Sequence, residues 1–337
     1  FNVVLSMLGI GYVVDVFTQK TFGKDTTVPG ASVFFQFSTF RIKLVKYFLW
    51  LFNSIKIIKH IINNNISEII IFSFDLPFVF FLLFSKFFLK GKNIRLVIFS
   101  SRELVGVSSF LFKIINSQIN HFFVRSEYLK NLLLSLKIDD KKITVATVFV
   151  GKDKFIGFEK RCILKIKRIA YLSNTEDSAG ISTVLYLAKC FPDVDFILGI
   201  REFSSLENRQ VISFLEKRKV SEIKNIKVVR NIPDMVQFYQ EVDAVILPVI
   251  DCKNTMSAPL VLLEALASGC IIFANNISVF REYSDFIILF DSQEQLRKIL
   301  EKKSVGQISG DLNKRKLFIT SLLNEKEAVG IYFSKYE

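Results

Sequence analysis

Short apolar runs recur along this chain, each followed by a segment of helical spacing, and this alternation restricts the available folds more than any other feature. EIIIFSF, RLVIFS, HFFVRS and KITVATV in the first half, with RIAYLS, DFILGI, IKVVR, AVILPV and CIIFA in the second, are rich in Ile, Val and Phe. Runs of this length without polar alternation read as strands buried on both faces. Helical periodicity predicts helices over 40–63, 77–89, 103–120 and YLKNLLLSL in the first half. In the second half it predicts helices over 180–190, 205–218, DMVQFYQEV, PLVLLEALAS and 293–302. GYVVDVFT, SVFFQF and FIILF add strands, and 1–11 and 311–337 read as helical. Strand and helix alternating in this way predict an α/β fold of Rossmann-like, doubly wound parallel sheets covered by helices.

At 337 residues the chain has room for two such domains. The charged stretch GKDKFIGFEKRCILKIK, 151–167, lacks periodicity and reads as the linker. The expected domains are 1–150 and 168–310, with 311–337 a terminal helix that packs back on the first domain. Open parallel sheets bind ligands outside the carboxyl ends of their strands, so two of them side by side predict a ligand cleft.

Lys and Arg outnumber Asp and Glu by 45 to 32, a formal charge of +13 that favours anionic partners. Zinc-finger, RNA-binding aromatic and helix-turn-helix patterns are missing and the lysines are scattered, which argues against nucleic acid. The four cysteines, Cys162, Cys190, Cys252 and Cys270, are far apart and read as reduced thiols of a cytosolic protein. LPFVFFLLF is well short of the roughly 20 apolar residues that span a bilayer. GIG at 9–11 follows a helix, not a strand, and is therefore no dinucleotide fingerprint. Phe1 opens the chain with neither an initiator methionine nor a signal pattern, as expected of a piece that lacks its first strand.

SAPLVLLEALASGC, 257–270, places one carboxylate, Glu264, in an otherwise apolar helix closed by Ser268 and Gly269. The succession AYLSN, FILGI, IPDMVQFYQEVDAVILP, SAPLVLLEALASG and CIIFANN resembles the donor half of the group 1 retaining glycosyltransferases of GT-B fold. FDLPFVFFLLFSKFFLKGKNIRLVIFSSREL is similar to a first-half stretch in which relatives read HDLP and DSHEL. The resemblance implies sugar transfer from a nucleoside diphosphate sugar to a glycan or lipid-linked acceptor, with retention and without a required metal. It implies that Glu264 accepts hydrogen bonds from the donor's ribose, which suits a carboxylate's acceptor capacity. Ser173, Asn174 and Gly180 would border the diphosphate; Arg201, just after the strand DFILGI, is either an ordinary surface arginine or in reach of the same cleft. Pro259, Leu260 and Val261 would border the sugar, and Glu103 and Asp75 would face the acceptor. Asp75 equally suits capping of the helix that follows.

Two departures stand out. Eight residues before Glu264, where relatives carry a second glutamate, stands Met256. Relatives hold the diphosphate with two cations after the first donor-half strand, where Ser173, Asn174 and Ala179 stand here. A degenerate, non-catalytic partner protein is therefore the alternative reading. DVD at 193–195 precedes a strand and reads as a turn, not a metal site. His121, near a strand start, is a candidate to line the cleft. Arg41, Lys43, Lys46, Lys56 and Lys59 lie among Phe37, Phe40, Phe48, Trp50 and Phe52 in one helical stretch. That pattern suits either an ordinary core helix or one lying on an anionic membrane, here its cytoplasmic face.

Overall fold

The computed structural model describes residues 15–19, 32–37, 43–72, 76–99, 116–146, 163, 165–172, 180–200, 212–213, 215–252, 259–302 and 318. The chain divides into two compact units, the first built mainly on 1–147 and the second on 148–324. The expected linker lies almost wholly outside the described residues, as do the helices expected over 1–11 and most of 103–120. Of the expected terminal helix only Phe318 is described; its ring stacks on Phe286 with centroids 4.5 Å apart.

In the first unit, β1 (Asp15–Gln19) and β2 (Ser32–Phe37) form a parallel pair. A long helix, α1 (Lys43–Asn63), leads into β3 (Glu68–Phe72), followed by α2 (Leu76–Phe88), β4 (Asn93–Ile98) and β5 (His121–Val124). Then come α3 (Glu127–Ser135) and β6 (Ile143–Val145). β3 to β6 make a four-stranded parallel sheet in sequence order. Every residue of β5 is buried, which explains why HFFV shows no alternation. Leu96, Ile98, Phe122 and Val124 pack with Ile57, Ile58 and Ile61 of α1 and Leu129 and Leu133 of α3. Ser126 caps α3 by accepting from the Leu129 amide at 3.2 Å. His121 opens β5 at the amino edge of the sheet, buried, with Nε2 2.7 Å from Thr144 Oγ1. That edge is opposite the carboxyl ends, so His121 does not line a ligand site there.

The second unit runs β7 (Arg168–Leu172), α4 (Ile181–Cys190), β8 (Asp195–Ile200), β9 (Ile226–Arg230), α5 (Met235–Glu241) and β10 (Ala244–Leu247). It continues with α6 (Leu260–Ala267), β11 (Ile271–Asn275), α7 (Ser278–Arg281), β12 (Ile288–Phe290) and α8 (Gln293–Glu301). These six strands form one parallel sheet in the order β12-β11-β10-β7-β8-β9. Phe196, Leu198, Ile246 and Phe273 face Ile181, Val184 and Leu187 of α4 and Leu296 of α8. Asp243 fastens the centre: its Oδ2 accepts from the amides of Lys167 at 2.8 Å and Arg168 at 2.9 Å, joining the start of β10 to that of β7. Asp195 opens β8 and lies 3.9 Å from Arg168, so the DVD stretch does serve a strand entry.

Among the described residues, no helix is long and apolar enough to cross a membrane, and no group of three His, Cys, Asp or Glu is placed to hold a metal ion.

Candidate functional site

From β7 the chain builds outward through β8 to β9, then returns to place β10 on the other side of β7 and builds outward again through β11 to β12. The winding therefore reverses between β7 and β10, whose residues Ile169 and Ala170 pair with Ala244 and Val245. At such a reversal the connections that leave the two central strands diverge to opposite faces. A crevice opens outside their carboxyl ends, where doubly wound sheets bind nucleotides.

Three stretches converge on that edge. After β7, the chain enters α4 through Gly180, whose φ of +80° is left-handed. A Cβ on Gly180 would stand 1.9 Å from the carbonyl oxygen of Pro248, the residue that follows β10. Only glycine allows this approach, which seats the amino end of α4 against the end of β10. On the other side, Asn275 ends β11 and donates from Nδ2 to the carbonyls of Pro248, at 3.3 Å, and Val249, at 3.1 Å. The rim of the crevice is thus fixed from both flanks.

The third stretch is α6. Pro259 is its cap residue, with φ −63° and ψ 129°, and its carbonyl accepts from the amides of Leu262 at 3.0 Å and Leu263 at 3.2 Å. Helical geometry leaves the Leu260 and Val261 amides without an intrahelical acceptor, so this end carries partial positive charge. The carboxyl end closes with a paired motif: Gly269, at φ +75°, donates to Leu266 O at 3.1 Å, and Cys270 donates to Ala265 O at 3.0 Å. Leu262, Leu263, Ala265, Leu266 and Ala267 are buried, whereas Leu260, Val261 and Glu264 form the strip that is not. Of the residues named by the resemblance, Leu260, Val261 and Glu264 lie on this strip and Pro259 at its start.

Glu264 is half-buried and held from below. The hydroxyl of the fully buried Tyr239, on α5, lies 3.2 Å from Glu264 Oε2, to which it donates, and 3.4 Å from Val261 O. Burial, and next the Glu264 carboxylate, push the phenol well above its usual value, so it remains a protonated donor at neutral pH. Asp234 starts α5, accepting from the amides of Val236 at 2.9 Å and Gln237 at 3.1 Å.

Of the expected site residues, the structure gathers Gly180, Pro259, Leu260, Val261 and Glu264 at the ends or connections of β7 and β10. Asp75, Glu103, Ser173, Asn174 and Arg201 lie outside the described residues, as does Met256. Tyr239, Pro248 and Asn275 were not singled out from sequence. Asn275 carried a legible signal, since a polar residue ends an otherwise apolar strand. Tyr239 carried none, because its partner is 25 residues away.

No family model matches the sequence, and a search of curated proteins finds no match. Solved structures do match. A glycosyltransferase from Rickettsia africae is 15% identical, with 99% of this chain and 92% of that chain covered, at a TM-score of 0.73. The fold is that of the GT-B glycosyltransferases. Sucrose-phosphate synthase from Thermosynechococcus elongatus, at 12% identity, covers 99% of this chain and 90% of its own, with a TM-score of 0.71. HepE from Anabaena, solved in complex with UDP, is 10% identical over 90% of this chain and 85% of its own, with a TM-score of 0.65. The GT-B likeness extends over both units, and the six-stranded sheet of the second has the 3-2-1-4-5-6 order of a dinucleotide-binding domain.

Proposed function

We infer that this chain is a retaining glycosyltransferase of class EC 2.4 that moves a sugar from a nucleoside diphosphate sugar to a glycan or lipid-linked acceptor. The observation that carries the reading is the placement of Glu264, on the first described α-helix after β10, beside the reversal between β7 and β10. In this reading the ribose hydroxyls donate to Glu264. The diphosphate lies against the amino end of α4 at Gly180, bordered by Ser173 and Asn174, where helix amides offset its charge as it leaves. Arg201 supplies a cation, and the donor sugar lies near Pro259, Leu260 and Val261. The sugar's anomeric carbon gives up its bond to the diphosphate oxygen and gains one to an acceptor hydroxyl oxygen, whose proton passes to the departing diphosphate. Asp75 and Glu103 in the first unit face that acceptor.

Division of labour follows the domains: 1–150 for the acceptor, 168–310 for the donor, 151–167 as the linker and 311–337 returning to the first. The protein works in the cytoplasm against an anionic membrane surface. In support, Phe52, Ile55 and Ile62 on α1 are 55%, 51% and 47% exposed and share a face with Lys56 and Lys59. Met256 in place of a glutamate favours a second reading, a non-catalytic member that binds nucleotide and partners another protein.

Binding of UDP and GDP, read as a rise in thermal midpoint, tests the donor site, since a ligand of the native state alone stabilises it by mass action. UDP comes first because HepE was solved with it. Glu264→Ala is expected to weaken binding about tenfold or more, the scale of a hydrogen bond to a charged group. Unchanged affinity removes Glu264 from the site. Turnover of the sugar conjugate then separates the enzyme from the non-catalytic reading.

A further inference from the structure

A glutamate on the outer strip of a helix ordinarily points to water, where its charge is best solvated and its rotamers stay free. Glu264 instead turns to a phenol that is completely buried. Ordering such a side chain costs rotamer freedom, so the contact with Tyr239 makes the carboxylate's position a property of the unliganded protein. Further contacts hold Tyr239 in turn. Its ring meets Phe238 edge-on at 5.7 Å, and its carbonyl accepts from Cys270 Sγ at 3.5 Å, as does that of Val242. Cys270 directly follows the glycine that closes α6, so the carboxyl ends of the two helices bearing the donor and the acceptor of the Tyr239–Glu264 bond are tied together.

We propose that Tyr239 is the positioning residue of the nucleoside subsite, aiming Glu264 so that the site selects a ribonucleotide over its 2′-deoxy counterpart; this rests on the donor-site reading above. A carboxylate has about four acceptor positions. With the phenol filling one from the protein side, the orientation of the others is set, and a vicinal diol can engage both oxygens at once. A ligand without the 2′-hydroxyl forfeits one bond to a charged acceptor that cannot turn to compensate. Sites built to receive a hydroxyl discriminate most strongly against the analogue that lacks it. Without the phenol, Glu264 loses the contact that aims it from the protein side and can shift toward the remaining 3′-hydroxyl, so ribose and deoxyribose become nearly equivalent.

The test is calorimetric titration of the full chain with whichever of UDP and GDP it binds, and with the matching 2′-deoxynucleotide. Wild type is expected to prefer the ribonucleotide by about tenfold to a hundredfold, the span of a hydrogen bond to a charged group. In Tyr239→Phe, which keeps the ring and its packing, that ratio is expected to fall to within about threefold of unity, with deoxynucleotide affinity little changed. A residue that merely braces the fold would weaken both ligands together and leave the ratio intact; that outcome overturns the proposal. Glu264→Asp keeps the charge but withdraws it from the phenol, and is expected to lose the ratio as well. If it retains wild-type discrimination the proposal fails, whether or not Tyr239→Phe folds. Wild-type binding that is blind to the 2′-hydroxyl overturns the role of Tyr239 and leaves the donor site standing. A wild-type chain that binds neither nucleotide overturns both.

Discussion

At the scale of single residues, Gly180 is the position where backbone geometry and the candidate site meet. Its positive φ alone disfavours any side chain, and the carbonyl of Pro248 occupies the place of a Cβ. Because the obstacle is backbone and not a flexible side chain, relief requires α4 or the end of β10 to move. Gly180→Ala is expected to destabilise the chain by about 2 kcal/mol or more, the sum of a strained left-handed residue and an overpacked contact. Urea unfolding checks this through a lowered midpoint at an unchanged slope. Nucleotide affinity should fall with it, since the amino end of α4 loses its place at the crevice. An alanine variant of wild-type stability would show that the rim yields more easily than its contacts imply.

Among the elements, α5 matters more than its seven residues imply, because it delivers Tyr239 beneath Glu264. A helix this short depends on its cap, and Asp234 takes up two of its first amides. Asp234→Ala is expected to cost about 1 kcal/mol and to weaken nucleotide binding indirectly, whereas Asp234→Ser should restore both. Equilibrium unfolding beside nucleotide titration reads the two effects. Asp234 also shows where sequence reading stops. DMVQFYQEV reads as helical throughout, yet its first residue is the cap. AVILPV reads as one strand, yet the strand ends at Leu247 because Pro248 has no amide to continue the ladder. KITVATV begins as a strand one residue later, at Ile143, because Asp139, accepting from the Lys141 amide at 3.0 Å, draws Lys142 into a 3₁₀ turn. The described strands were legible because sheets buried on both faces leave unbroken apolar runs. Glu264 was legible as one acid in an apolar helix. Tyr239 and Pro248 were not, since each works through contacts between segments distant in sequence, and spacing does not encode them.

For the whole molecule, charge and exposed apolar surface belong together. Phe87 and Phe88, at the end of α2, are 76% and 59% exposed, with Lys86 and Lys90 beside them, and Lys56 lies 4.6 Å from the ring of Phe52 on α1. Aromatic side chains bordered by lysines suit the interface of an anionic bilayer, where rings enter the acyl boundary and ammonium groups meet phosphate. The chain is expected to sediment with vesicles containing phosphatidylglycerol and not with vesicles of phosphatidylcholine alone. Phe87→Ser with Phe88→Ser should reduce the bound fraction severalfold at about 1 kcal/mol or more per buried ring, and salt should reduce it further. Equal sedimentation of the double variant and the wild type would exclude these rings as the point of contact.

The reversal between β7 and β10 has a further consequence in time. During synthesis β7, β8 and β9 emerge first, and the flank of β7 that will receive β10 stays an open sheet edge. The amides of Lys167 and Arg168 wait 76 and 75 residues for the Asp243 carboxylate that fastens them. Closing so long a loop is entropically costly and slows folding. The crevice proposed to hold the nucleotide is therefore among the last parts of this sheet to exist, and in the nascent chain its place is held by unpaired backbone.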